Sequence, residues 1–144
     1  MINTVDGERG GAPSVEAALL AAVLGVVIVL AVAAGRLVAA EAACEQAARA
    51  AARIASAQRD PDSAQTVAEQ TARNTLVAQG LACDQLDVVV DTSQFARPLG
   101  EPAAVRANVS CAVRWSDLAL PGAPGTHLTS ASFTSPIDQM RERP

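Results

Sequence analysis

The sequence predicts an α+β chain: a long transmembrane α-helix near the N-terminus that continues past the bilayer, a second short helix, and a small three-stranded antiparallel β-sheet. Three observations predict it. The stretch Ala17–Gly35 contains no charged or polar side chain. Residues 36–58 are rich in alanine, with charges spaced four apart. The segment "AVRANVSCAVRWS", Ala104–Ser116, alternates apolar and polar positions with the period of a half-buried strand.

The first element is set by its length. Nineteen residues at helical rise cover roughly 28 Å, the thickness of a hydrocarbon core. Leu24, Val26, Val27, Ile28, Val29, Leu30 and Val32 fill its middle, so the helix is apolar on every face. Such a helix belongs in lipid or wholly inside protein, and 144 residues offer one small domain at most, too little to surround it. A secretory signal is the competing reading, with Ala31-Val32-Ala33 or Val38-Ala39-Ala40 as the small-residue site. Its apolar centre is about 7–15 residues, shorter than this run. Short-range arginine counts, Arg9 on one side and Arg36 on the other, do not set the orientation.

Glu16 stands at the entrance to this run. Pro13 and Ser14 suit the first turn or cap of a helix, and a carboxylate near a helix N-terminus is favourable.

Beyond the span, Glu41, Glu45, Arg49 and Arg53 step along one helical face. Glu45 to Arg49 is the favourable order of an i,i+4 pair. The remaining faces, Ala39, Ala40, Ala43, Ala47, Ala50, Ala51 and Ile54, are small and apolar. They suit either packing on the chain's own domain or close approach to other subunits. Asp60-Pro61 interrupts this helix and starts the next, Asp60 as cap and Pro61 as first residue. The spacing Ala64, Val67, Ala68, Thr71, Thr75, Leu76 carries that helix to Gly80, a suitable C′ residue. An antiparallel helix pair and a bent continuation are both compatible with this pattern.

Three strands follow. "LDVVVD", Leu86–Asp91, is the first. Ala104–Ser116 is the second, with Val105, Ala107, Val109, Cys111, Val113 and Trp115 on one face, and Trp115 is expected to be the main core anchor of the sheet. "HLTSASFTS" is a third, weaker strand. "ARPLGEPA" and "LALPGAPGT" read as loops. An antiparallel meander against the helix is the simplest arrangement.

The three cysteines, Cys44, Cys83 and Cys111, include no CxxC pair. An odd count in a chain that leaves the cytoplasm suggests one disulfide and one free thiol. Cys83 with Cys111 is the candidate pair, closing a loop worth roughly 3 kcal/mol in the chain-entropy model. Two buried thiols, or Cys44 as the partner of Cys83, are the alternatives.

Composition narrows the function classes. The net charge is −4, every basic residue is an arginine, and no basic cluster occurs, which argues against nucleic acid. His127 is the only histidine and has no companion carboxylate or cysteine pattern. No metal-ligand spacing, phosphate-binding glycine loop or nucleophile elbow appears. The expectation is a protein with no enzymatic activity, no cofactor and no small-molecule substrate.

Gly11, four residues, Glu16 and then the span resembles the prepilin-peptidase site of type IV pilins and pseudopilins. Three blocks resemble, more particularly, TadE-like minor pseudopilins of the tight-adherence (Flp) pilus system: "RGGAPSVEAALLAAVLGVVIVL", "GRLVAAEAACEQAARAAARIAS" and "ASFTSPIDQMRE". Ala17, where relatives usually carry Tyr or Phe, and a leader with one basic residue depart from that pattern. The resemblance implies a pilin-like fold, with residues 1–11 a leader, 12–35 the span, 36–59 its extracytoplasmic continuation and 60–144 a small extracytoplasmic domain. It implies cleavage between Gly11 and Ala12 and a register-setting role for Glu16, paired with the freed α-amino group of a neighbouring subunit. The implied partners are other pilins, assembly-platform proteins, a prepilin peptidase and the lipid bilayer. The implied location is the cell membrane as a single-pass protein, N-terminus cytoplasmic, with incorporation into a surface pilus. The rival is a membrane-anchored extracellular binding domain with neither processing nor a pilus role.

Overall fold

A computed structural model describes residues 12–98, 100–118 and 122–138. Helix α1 runs unbroken through Ala12–Ser56, 45 residues, or roughly 67 Å at helical rise. Alanine, the strongest helix former, carries it past the apolar run. Helix α2 spans Pro61–Ala78. Strands β1 (Gln85–Asp91), β2 (Ala103–Arg114) and β3 (Thr126–Ile137) form one antiparallel sheet in the order β1-β2-β3. A single 3-10 turn, Ser93–Ala96, lies between β1 and β2 and buries Phe95.

The start of α2 follows its sequence. Asp60 accepts a 2.8 Å hydrogen bond from the Ser63 N–H, and Pro61 opens the helix. At the other end Gly80 adopts φ 71°. Its N–H bonds to the Val77 carbonyl at 2.9 Å and the Leu81 N–H to the Leu76 carbonyl at 3.0 Å, which closes a Schellman motif. The side-chain amide of Gln79 donates to that of Gln46 at 2.9 Å. The two helices are therefore an antiparallel pair rather than a bent continuation.

Alanines make the seam between them. Ala47, Ala48, Ala51, Ala52 and Ala55 of α1 and Ala64, Ala68 and Ala72 of α2 are wholly buried. Small side chains at a helix crossing shorten the interaxial distance. Each alanine removes little apolar area from water, so the larger buried groups matter disproportionately. Val105, Val109 and Val113 of β2, with Leu76 and Leu118, supply them, at about 1.5–3 kcal/mol for each fully buried aliphatic side chain.

Trp115 is not the anchor that its alternation suggests. Strand β2 ends at Arg114, and Trp115 begins the following turn, partly buried at the margin of the core. It rests on His127, ring centroids 5.2 Å apart. The alternation continues for one residue after the chain has left the sheet.

Strand β3 runs alongside α1 in the same direction. Contacts climb together along both: the Cys44 thiol with the Thr129 carbonyl at 3.9 Å, the Arg49 guanidinium 5.6 Å from the Phe133 ring centroid, and Ser56 Oγ with Ser135 Oγ at 3.0 Å. The helices cover one face of the sheet. The other is open and mostly polar, with Asp87, Arg106, Asn108, Ser130, Ser132 and Thr134 exposed beside Val89 and Leu128, as one-sided antiparallel sheets allow.

Candidate functional site: the start of the apolar helix and the domain behind it

Helix α1 divides into two parts by its surroundings. From Val15 to Val32 every residue is exposed, Leu19 by 65% and Ile28 by 55%. None of that apolar surface is covered by the other described residues. By length and composition this is a helix able to cross a membrane, and it is the one such helix among the described residues. Partial burial begins at Ala33 and Leu37, and the core proper begins at Ala40, 2% exposed.

Arg36 marks the junction as the first charged residue after the run. Its guanidinium donates a 3.0 Å hydrogen bond to the Asp117 carbonyl in the turn after β2. The domain is thus tied to the helix where the apolar surface ends. A cleft of about 570 Å³ opens here, lined among others by Arg36, Ala40, Gln79, Leu81, Val113 and Leu118.

At the entrance, the helix already exists at Ala12, which places Pro13 and Ser14 inside the first turn. Glu16 therefore sits in the second turn, beyond the strongest part of the helix dipole. Its side chain is exposed, and among the described residues no hydrogen bond or ion pair reaches it. Gly11, the first half of the expected cleavage site, lies outside the described residues. Ala12, the second half, begins α1.

Cys83 and Cys111 are joined in a disulfide, Cα atoms 5.3 Å apart, linking the segment after α2 to the central strand. Cys44 is the free cysteine, wholly buried between α1 and β3. Burial pushes its thiol pKa up, outweighing the opposite pull of the hydrogen bond to Thr129. A neutral, enclosed thiol is a packing group rather than a nucleophile.

His127 packs on Trp115 and joins no cluster. Among the described residues no three His, Cys, Asp or Glu side chains stand close enough to hold a metal ion.

One polar contact has no counterpart in the sequence pattern. The Gln65 side chain, on α2, donates to the Val88 carbonyl at 2.6 Å and accepts from the Val90 N–H at 2.9 Å. Its amide occupies the outer edge of β1 as a neighbouring strand would. Nothing in local spacing distinguishes Gln65 from the exposed glutamine Gln70 of the same helix.

These features define a small α+β domain fed by one apolar helix of membrane-spanning length. Family models, curated proteins and solved structures were all compared with the chain, and none matches it.

Proposed function

We propose that this chain is a single-pass membrane pseudopilin, a minor subunit in the assembly of a Flp-type, type IV-like pilus. The exposed apolar stretch Val15–Val32, with Glu16 at its start and unpartnered among the described residues, is the observation that carries this reading. A carboxylate at the edge of lipid is costly unless a cation meets it. Cleavage after Gly11 would create such a cation, the α-amino group of Ala12. Ala12 and Glu16 lie on one helical face, about 6 Å apart along the axis. A neighbour displaced by about one turn brings its amine to this carboxylate, and the pair fixes the stagger between subunits. Residues 17–35 hold the chain in the bilayer, and the domain from Ala40 onward meets other subunits just outside it.

The test is co-expression with a prepilin peptidase. The mass of the membrane-extracted protein should fall to that of a chain beginning at Ala12, and Gly11→Ala should keep it whole. Full-length mass beside an active peptidase contradicts processing. Normal pilus assembly with Glu16→Ala contradicts the register role.

A further inference from the structure

The two edges of the sheet are treated differently. At β1, the Gln65 amide satisfies the outward backbone groups of Val88 and Val90. Outward groups alternate along a strand. Through the paired registers, the alternation set by Val88 and Val90 turns the backbone groups of Leu128, Ser130, Ser132 and Thr134 away from β2. Pro136, which has no N–H to leave unpaired, falls in the same set. Among the described residues no backbone group of another element bonds to this edge of β3.

Protein edges are ordinarily blunted by charge, by proline, by a bulge or by shortness. Apart from Pro136 near its end, strand β3 has none of these. It is twelve residues long, contains no Asp, Glu, Lys or Arg, and keeps one continuous register with β2 from Thr126 to Ile137. Beside it, a groove of about 250 Å³ runs under α1 between Arg49 and Phe133.

We propose that these two edges are the two halves of a contact between copies of this chain: β3 of one copy receives β1 of the next, and Gln65 is the removable cap on the incoming strand. The inference rests on the assembly reading above. Strand direction selects the pairing. β1 and β3 both run antiparallel to β2, hence parallel to each other, and β3 runs along α1. Parallel pairing of β3 with β1 of a second copy therefore leaves both apolar helices pointing into the same bilayer. Antiparallel pairing of β3 with itself would point them in opposite directions. Side chains agree with the choice. On the helix side Leu86, Val88 and Val90 would meet Ala131 and Phe133. On the open face Asp87, Val89 and Asp91 would meet Ser130, Ser132 and Thr134, the two carboxylates accepting from hydroxyls. The contact is head-to-tail and does not close on itself, so it propagates as an open row.

The experiment uses the full chain in detergent micelles, its association followed by sedimentation. Gln65→Ala removes a competitor worth two hydrogen bonds, so association should tighten by roughly tenfold. Gln65→Glu keeps the acceptor for Val90 and loses the donor to Val88, and should fall between. Adding Ser132→Glu to Gln65→Ala sets a like charge against Asp87 and Asp91 and should return association to the original level, and amide exchange at Leu128, Ser130, Ser132 and Thr134 should slow only in the tightened species. Unchanged association in both Gln65 variants overturns the proposal. So does tightening that Ser132→Glu leaves in place. Because no peptidase or pilus enters this experiment, the proposal can fail while correct processing and assembly still support the pseudopilin reading.

Discussion

Arg36 and Asp117, 81 residues apart in sequence, are joined by a 3.0 Å hydrogen bond from guanidinium to backbone carbonyl. This bond seats the folded domain directly against the end of the apolar helix. The contact is exposed, so its energetic weight is small while its positional effect is larger. Arg36→Ala should lower unfolding free energy by no more than about 1 kcal/mol. Amide exchange through residues 115–118 should nevertheless quicken, as measured by hydrogen–deuterium exchange in micelles.

The alanine seam sets a strict size limit. Ala48 and Ala51 of α1 are wholly buried, and a larger side chain there must push α2 or the sheet away. Ala51→Leu should cost about 1–3 kcal/mol by overpacking. Val77→Ala, on the exposed face of α2, should stay within about 0.5 kcal/mol. Denaturant titration of both variants checks the contrast.

The disulfide closes a loop across 28 positions, from Cys83 to Cys111. Reduction, or Cys83→Ser, should lower stability by about 3 kcal/mol. Cys44 should behave differently. Buried and neutral, it should resist iodoacetamide in the native chain and react only after unfolding, which mass spectrometry reads directly.

Acid should act through two hydrogen-bonded carboxylates, the α2 cap Asp60 and Asp91 at the end of β1. The backbone N–H of Ser63, then its side chain, hold the Asp60 carboxyl below its ordinary value of 3.8. A group depressed by folding stabilises the fold fully above its unfolded pKa and loses that contribution as pH falls through the folded one. Asp91 is depressed likewise, by the side chain and then the N–H of Ser93, with a smaller pull from Arg106. Stability should therefore be flat from neutral pH down to the carboxylate range and drop below it. Asp60→Asn, which keeps a capping oxygen without the charge, should flatten part of that drop in pH-dependent thermal melts.

Much of the fold was legible because it rests on periodicity. The apolar run, the Asp60-Pro61 break, Gly80 and the alternation through Val105–Val113 are local signals, and the last three mark element ends within two residues. What was not legible depends on contacts distant in sequence. Trp115 shares the parity of β2 but lies past its end, and pattern alone does not show where a strand stops. Gln65 caps β1 only because α2 folds back over it, 23 residues from Val88. Of the candidate site, the long apolar helix could be read directly. The tie from Arg36 to Asp117 could not, since a backbone carbonyl carries no signature in sequence.

The most direct measurement is fractionation of native membranes by alkaline extraction, followed by protease added from outside the cytoplasm. The account predicts that the chain stays with the lipid pellet and that protease removes the domain beyond Arg36, leaving the apolar helix protected. Release of the intact chain into the soluble fraction would contradict it.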